Sequence, residues 1–457
     1  MPSGVQHRAG NTIRRLFILL LTAIGVGAPA REAASISKDP AMARVRLLTS
    51  NEESWNVRYR LLRQASSSIL AGYFILRNDD HGQAFLWLLM QKARAGVEVK
   101  LMLDARGSAL LTLPFLGKDI LQEVVAAGVE VVVFNPLLSP RFLASPVLST
   151  HSKMLIVDGR YVVTGGRNIS DNYMLNSDAL ATAYCDADIL VDSIEIAQQA
   201  RAAFFEEFGG REGRRLRSDW FGNWKSQFRR LARTWAAMEA GPRRRRSADS
   251  AKRLSEPVEA CLLYNAPGRL GTKALTQGVL DLISGSRKEI VIQNPFLVLT
   301  KAFRAALVAA GRRGVRIVIL TNGADSTDNL LSQSVFFSDS KPLLRDIPNC
   351  RFYVAQGPDK MHAKVFVFDR QDTIVGTFNL DSLSDHINSE VGVWVHSDEF
   401  ARTTLGSIRK YIRESTGEYV PRGSGEKGKG SAHRQQGIRY RLIRMITPFA
   451  LAVRPYL

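Results

Sequence analysis

The sequence is short of cysteine and of acidic side chains. Its three cysteines, Cys185, Cys261 and Cys350, lie far apart without paired zinc-ligand spacing, so neither a disulfide framework nor a structural zinc is expected. The apolar run from Leu16 to Ala30 falls short of the roughly 20 residues that a membrane-spanning helix needs. Asp and Glu number 43 against 62 Lys and Arg, a net charge of +19, which points to an anionic partner: nucleic acid, an anionic membrane face or a phosphate-bearing substrate. What remains is ordinary. A chain of 457 residues, 45% hydrophobic and 23% charged, is neither disordered, collagenous nor multi-spanning, and it has room for two or more domains.

The basic excess is unevenly placed. Residues 1–31 net +4, residues 211–253 net +10 and residues 422–457 net +7. Residues 32–210 net −3 and residues 254–421 net +1, so the bulk of the chain is near neutral. At the N-terminus, Arg8, Arg14 and Arg15 precede the apolar run, which closes on Ala28-Pro29-Ala30. A basic start, a short apolar stretch and a small-x-small end describe a secretory signal peptide over residues 1–30. An uncleaved anchor is the alternative reading.

Between the basic segments the chain repeats itself. Residues 68–77 read as a buried strand, 82–94 as an amphipathic helix, and the next strand ends at Asp104. Strand 289–298, helix 301–312 and a strand ending at Asn322 replay that order. Strands alternating with helices predict a duplicated α/β fold with parallel-rich layers. The boundaries follow: a first lobe over 31–210, a basic aromatic linker over 211–255, a second lobe over 256–420 and a basic amphipathic tail over 421–457.

A sharper marker lies inside the repeat. Residues 151–168 (HSKMLIVDGRYVVTGGRN) and 362–379 (HAKVFVFDRQDTIVGTFN) align without a gap. They share His151 with His362, Lys153 with Lys364, Asp158 with Asp369, and Asn168 with Asn379. In an extended segment His and Lys two apart project to one side. If the halves pack about a pseudo-twofold axis, two imidazoles and two ammoniums share one pocket, a setting suited to phosphate. The lysines would neutralise non-bridging oxygens and the asparagines would add neutral donors. One histidine can then attack phosphorus while the other protonates the departing oxygen.

An attacking histidine needs an acceptor on its other ring nitrogen. Asp186 and Glu390 are the candidates, each following a repeat histidine, by 35 and 28 residues. Asp188 rivals Asp186 on the same strand face. Asp158 and Asp369 end apolar strands ahead of turns and read equally as catalytic groups or as organisers of local backbone. No cluster with metal-ligand spacing stands out, and the chemistry calls for no metal or other cofactor, because the lysines supply the positive charge.

These residues resemble the phospholipase D superfamily, whose mark is the paired His-x-Lys-(x)4-Asp motif followed by a Gly-rich element and Asn. Phe296 in IQNPFLV, Leu320-Thr-Asn322 and Asn388-Ser-Glu390 resemble its bacterial cardiolipin synthase branch. Where many members carry Gly-Ser, this chain has Gly165-Gly166 and Gly376-Thr377. The resemblance implies two pseudo-symmetric α/β sandwich lobes sharing one active site, with His151 as nucleophile and His362 as general acid. It further implies Asp186 and Glu390 as the orienting acids, and Lys153, Lys364, Asn168 and Asn379 on phosphate. The implied activity is phosphatidyl transfer of the cardiolipin synthase kind, or phospholipase D hydrolysis. A nuclease of the same superfamily is the alternative.

Charge placement separates these. A polynucleotide binder would carry its positive charge along the groove of the lobes, yet the lobes are near neutral. Trp220, Trp224, Phe228, Leu231 and Trp235 fall on one helical face bordered by Lys225, Arg229, Arg230 and Arg233, which fits a helix lying in a membrane interface. Packing on the lobes as a connector is the other reading of that stripe. Arg439, Arg441 and Arg444 stand among apolar residues in the tail. The expectation is an exported enzyme of the bacterial envelope, peripheral to an anionic phospholipid surface and acting on phospholipid, with nucleic acid disfavoured.

Overall fold

Each half threads its strands in the same order. The first contains β1 (Ala41–Leu48), β2 (Ser68–Tyr73), β3 (Glu98–Asp104), β4 (Glu130–Phe134), β5 (Met154–Val157), β6 (Tyr161–Gly165), β7 (Tyr184–Cys185), β8 (Asp188–Asp192) and β9 (Gly213–Arg215). The second contains β10 (Val258–Asn265), β11 (Glu289–Gln293), β12 (Arg316–Asn322), β13 (Cys350–Ala355), β14 (Lys360–Met361), β15 (Val365–Phe368), β16 (Asp372–Gly376), β17 (Glu390–His396) and β18 (Thr416–Glu418). The computed structural model describes residues 39–113, 118–137, 139–217, 225–240, 254–419 and 437–457. The N-terminal apolar run, Trp220, Trp224, Arg243–Arg246 and most of the tail's Gly/Ser-rich stretch lie outside the described residues.

Among the described residues sixteen strands form one continuous sheet, in the order β9-β4-β3-β2-β5-β6-β8-β1-β10-β17-β16-β15-β11-β12-β13-β18. From the centre outward the two halves read identically. At the seam, β1 pairs antiparallel with its counterpart β10, Ala41 opposite Ala260. An antiparallel pair of equivalent strands is what a pseudo-twofold axis through a sheet produces.

The sheet is mixed, not parallel-rich. Among its described strands, parallel pairing is confined to β2-β3-β4 and β11-β12-β13, while β7 and β14 pair in parallel as a separate two-stranded ribbon. The helices Asp80–Arg94 and Lys301–Arg312 supply the long crossovers that β2-β3 and β11-β12 need. The motif segments β5-β6 and β15-β16 are antiparallel hairpins. Their turns place consecutive residues at positive φ, Asp158 (52°) with Gly159 (60°) and Asp369 (50°) with Arg370 (62°), which matches the twist of a tight hairpin.

Period-2 alternation sends side chains to both sheet faces. On one face Val45, Val191, Phe204, Leu262, Val393 and Ile408 belong to a single core that crosses the seam. The helices Ile194–Phe208 and Asp398–Ser415 contribute to it, each started by a serine cap, Ser193 and Ser397. On the opposite face each half has its own core, around Leu89 and Leu155 in the first and Phe303 and Phe366 in the second. The shared layer locks the halves together, which the site requires.

The linker helix Lys225–Ala240 packs on the first half: Leu231 is buried in its core and Trp235 stacks on Tyr59 at 5.5 Å. For these two residues the connector reading replaces the membrane-facing one, because Leu231 is buried and Trp235 half-buried against that half. The surroundings of Phe228 lie outside the described residues. The tail forms helices Ile438–Met445 and Thr447–Ala452 against helix Leu330–Asp346, where Ser334 Oγ donates to the Ile443 carbonyl at 2.8 Å. No helix among the described residues is long and apolar enough to cross a membrane.

Candidate active site

The segments His151–Lys153 and His362–Lys364 are extended and run into β5 and β15. Each is held by the polar end of a neighbouring strand. The Asp104 carboxylate, at the end of β3, accepts the Thr150 N–H at 3.0 Å. Asn322, at the end of β12, accepts the Met361 N–H at 3.1 Å and donates to its carbonyl at 2.9 Å. Each segment also bonds across the seam: the His151 N–H donates to Ser389 O at 3.1 Å and the His362 N–H to Cys185 O at 2.8 Å. The histidines therefore take their positions from both halves.

Both imidazoles line one cavity of about 450 Å3, together with Asn168, Phe74, Tyr173 and Phe296. His151 Nδ1 lies 2.9 Å from Glu390 Oε1, and His362 Nδ1 lies 2.7 Å from Asp186 Oδ2. A carboxylate at Nδ1 holds the proton there and leaves the Nε2 lone pair as the reactive position. The pairing is crossed. Sequence interval matches each acid to the histidine it follows, but the structure gives each histidine the acid of the other half.

Strand register explains why the intervals differ. Gly165 pairs with Asp188, and Gly376 with Gly392, so Asp186 and Glu390 are equivalent residues two positions earlier. The first half reaches that point through a longer connection containing helix Asp171–Met174 and β7. Asp188 does not orient a histidine: it is buried in an ion pair with Arg58 at 2.9 Å and accepts from Ser54 at 2.6 Å.

The Gly-Gly and Gly-Thr variants have a physical reason. A Cβ at Gly166 would stand 2.0 Å from Asp186 Oδ1, so that position must lack a side chain for the carboxylate to reach His362. In the second half Thr377 occupies the equivalent place, and its hydroxyl donates to Glu390 Oε2 and accepts the Val391 N–H. Ser384 Oγ donates to the other Glu390 oxygen at 2.5 Å. One acid is thus fitted by a missing side chain and the other by two hydroxyls.

Lys153 and Lys364 are fully buried, each ammonium donating to the carbonyl of its own histidine at 2.7 and 2.5 Å. Asn168 accepts the Ile75 N–H at 2.9 Å, which fixes its amide at the cavity wall. Asn379 is buried nearby, its backbone N–H bonded to Ser384 Oγ at 3.3 Å. Asp158 and Asp369 do not reach the cavity. They stand at the far ends of β5 and β15, on the order of 20 Å along the chain from their histidines. Asp158 accepts the backbone N–H groups of Ser66, Ser67 and Ser68, and Asp369 those of Arg287, Lys288 and Glu289. The catalytic reading of these two aspartates is therefore replaced by the backbone-organising one.

Electrostatics differ between the two histidine–acid pairs. Burial, with Lys153 and Lys364 adding to it, holds His151 well below the ordinary histidine value. Burial and Lys364 also lower His362, against the opposing pull of Asp186. Burial would raise Asp186, but His362, Lys364 and Arg167 outweigh it and keep that carboxyl low. Burial pushes Glu390 up to about 7, Lys153 down to about 7 and Lys364 down to about 8. The second pair thus couples a firmly ionised acid to the histidine better able to hold a proton. The first presents a neutral imidazole.

Sequence reasoning missed the aromatic walls. Phe74 meets His151 edge-on at 5.1 Å, while Tyr173 and Tyr184, stacked at 4.2 Å, meet His362 at 5.4 and 5.5 Å. The tyrosines lie in the longer connection of the first half, and the unequal intervals were the readable sign that something extra sits there. Glu207 was missed too. It accepts from Ser152 Oγ at 3.0 Å and Ser389 Oγ at 2.7 Å, tying the motif of one half to the acid-bearing strand of the other. Among the described residues, no group of three or more His, Cys, Asp and Glu gathers as a metal site. A neutral nucleophile, an acid-backed proton donor and buried ammoniums can divide displacement at a phosphodiester into two steps through a covalent phosphohistidine.

Comparison with known proteins agrees with this geometry. Residues 59–207 and 279–410 match the family described as cardiolipin synthase, phospholipase D-like domain. A probable cardiolipin synthase of Bacillus subtilis is 27% identical over 374 residues, 81% of this chain and 66% of that one. Cardiolipin synthase A of Pseudomonas aeruginosa is 25% identical over 426 residues, 90% of this chain and 75% of that one. Among solved structures, phosphatidylserine synthase of Haemophilus influenzae shares the fold with a TM-score of 0.65 at 14% identity, covering 92% of this chain and 98% of its own.

Proposed function

Because the chain belongs to the cardiolipin synthase, phospholipase D-like domain family, we propose that its cavity transfers a phosphatidyl group from one phospholipid to an alcohol. His151 Nε2 attacks phosphorus, the P–O bond to the leaving headgroup breaks, and His362 gives its proton to the departing oxygen. The phosphatidyl group is then held on His151. An incoming hydroxyl loses its proton to His362 and attacks phosphorus, which frees His151. Phosphatidylglycerol as acceptor gives cardiolipin, from a second phosphatidylglycerol or with phosphatidylethanolamine as co-substrate; water gives phosphatidic acid. Lys153, Lys364, Asn168 and Asn379 balance the charge on the non-bridging oxygens.

The observation that carries this reading is the pair of crossed histidine–acid contacts opening on one cavity. The Bacillus and Pseudomonas relatives supply the substrate class. Placement follows from the basic segments: residues 1–30 act as an export signal, and the enzyme works as a peripheral protein on an anionic phospholipid surface of the envelope.

The test incubates the protein and its His151→Ala variant with mixed phospholipids, and separately with plasmid DNA, following products by mass spectrometry and gel. Cardiolipin or phosphatidic acid should form only with His151 present. DNA cleavage with no histidine-dependent change in lipid would instead make the protein a nuclease of the same fold.

A further inference from the structure

Besides the catalytic cavity shared by both halves, the second half carries a cleft of its own. A cleft of about 770 Å3 opens at the start of helix Lys301–Arg312, and its titratable lining is entirely basic: Arg269, Lys301, Arg304, His386 and Arg454. Asp346 and Asp339 lie outside that lining and fix two of these groups, Arg304 at 2.6 Å and Arg454 at 2.6 Å. Arg269 and Lys301 are exposed and make no ion pair or hydrogen bond among the described residues. Thr300 Oγ1, in the cleft wall, is buried without a partner, and the first N–H groups of the helix follow it. Fixed guanidiniums, free basic side chains and a helix start together form a receptor for a phosphate group.

Large apolar side chains are exposed on the two segments that carry Arg269 and Arg454 into the cleft. Leu270, beside Arg269, is 97% exposed. The tail, whose Arg454 lines the cleft, buries Ile443 and Ala450 against the second half. It turns Ile438 (85% exposed), Leu442 (40%), Met445 (72%) and Phe449 (60%) outward. The spacing of four and three puts Ile438, Leu442 and Met445 on one stripe of the first tail helix, bordered by exposed Arg441 and Arg444, and Phe449 follows in the second. A packed cluster ties the tail to the catalytic cavity: Leu331 lines that cavity and packs against Val298, Ala450 and Leu457, the last two in the tail segment that also carries Arg454.

We propose that this cleft is a second, non-reacting phospholipid site. It takes the phosphate headgroup of an anionic lipid that stays in the bilayer, while Leu270 and the tail stripe enter the acyl boundary. The occupant is a lipid surface and not a second copy of this chain, because a second copy would bring the same basic border against itself. Bound this way, the enzyme has its catalytic cavity next to the layer that supplies substrate. The identity of the lipid rests on the phospholipid reading of the catalytic cavity; the binding does not.

The test measures binding of the full chain to phosphatidylcholine vesicles with and without phosphatidylglycerol, in a His151→Ala background that prevents turnover. Phosphatidylglycerol should be required. Arg269→Glu with Lys301→Glu should weaken binding at least about thirtyfold, since each basic side chain at an anionic surface is worth about 1 kcal/mol. Both residues are exposed and unpaired, so the variant should melt like the parent. Met445→Ser with Phe449→Ser should weaken binding without removing the phosphatidylglycerol preference. Unchanged binding in the charge-reversed variant overturns the proposal. Displacement from vesicles by millimolar inorganic phosphate or glycerol phosphate overturns it in favour of a soluble phosphate ligand. With His151 restored, the charge-reversed variant should process a short-chain, detergent-dispersed phospholipid at the parent rate; loss of that rate, with the fold intact, would make the cleft part of the reaction. A parent that binds these vesicles yet converts no phospholipid would sink the catalytic reading and support this one.

Discussion

Glu390, at the start of β17 in the second half, meets His151 of the first half at 2.9 Å. The mirror contact, Asp186 to His362, spans the seam the other way at 2.7 Å. Each half supplies one imidazole and the acid that orients the other half's imidazole, so neither contains a working site. The shared core beneath, with Val45 and Leu262 in one layer, is therefore a condition of the chemistry. Any change that slides one half against the other misaligns both histidines at once.

The two contacts are unequal, and pH should reveal it. Asp186 raises the affinity of His362 for its proton, against the lowering effect of burial and Lys364. Asp186→Asn removes that support, so His362 loses its proton at a lower pH. The alkaline limb of kcat/KM should move toward acid, with a rate loss of about 10- to 100-fold at its optimum. Movement of the acid limb instead would make His362 the attacking base.

Gly166 and Thr377 should both lose rate on change to alanine, for opposite structural reasons and by different amounts. Gly166→Ala places a methyl where Asp186 Oδ1 now sits, 2.0 Å from that atom, and should displace the acid from His362. A kcat loss approaching that of Asp186→Asn is expected. Thr377→Ala removes one of two hydroxyl donors to Glu390 and leaves Ser384, so a loss nearer tenfold is expected, on the order of 1–2 kcal/mol. Steady-state kinetics on both variants check the ranking.

Asp158 and Asp369 separate stability from catalysis. Each accepts several backbone N–H groups at a strand start. Asp158→Ala or Asp369→Ala should cost about 1–3 kcal/mol in denaturant unfolding. The rate per folded molecule should stay within about twofold of the parent, because neither carboxylate reaches the cavity. Lys153→Met should show the converse, a near-complete loss of rate.

Glu207 gives stability a pH dependence of known sign. Burial pushes it up to about 7 from the ordinary 4.5. Below the unfolded value the carboxyl is protonated in both states and costs nothing. Between there and about 7 the unfolded chain ionises while the fold keeps its proton, so stability falls as pH rises. Glu207→Gln removes that loss. Its advantage should grow from near zero at acid pH to at most about 3 kcal/mol above neutrality, read by urea unfolding at the two ends. An advantage independent of pH would show that Glu207 is ionised in the fold.

Much of this was legible in the chain, and for definite reasons. The gapless repeat from His151 to Asn168 and from His362 to Asn379 marks both motif segments, because chemistry fixes the residue types and hairpin geometry fixes the spacing. The polar strand ends Asp104 and Asn322 were visible as terminators, but their bonds to Thr150 and Met361 depend on three-dimensional neighbours. The crossing of Asp186 and Glu390 could not be read, since it follows from how the halves associate and not from any local pattern. The parallel-rich expectation failed at β5-β6 and β15-β16, where short apolar runs look alike whichever way they pair. The aromatic stripe of the linker divided on tertiary contact: Leu231 and Trp235 found apolar surface on the first half before any membrane could cover them.

The central claim is that His151 carries the phosphatidyl group. The most direct measurement incubates the protein with phosphatidylglycerol, quenches within the first turnovers under alkaline conditions that preserve phosphohistidine, and maps the modified peptide by mass spectrometry. A phosphatidyl or lysophosphatidyl adduct on His151, absent from His151→Ala, is expected. An adduct on His362 with His151 unmodified, or full turnover by His151→Ala, would contradict the account.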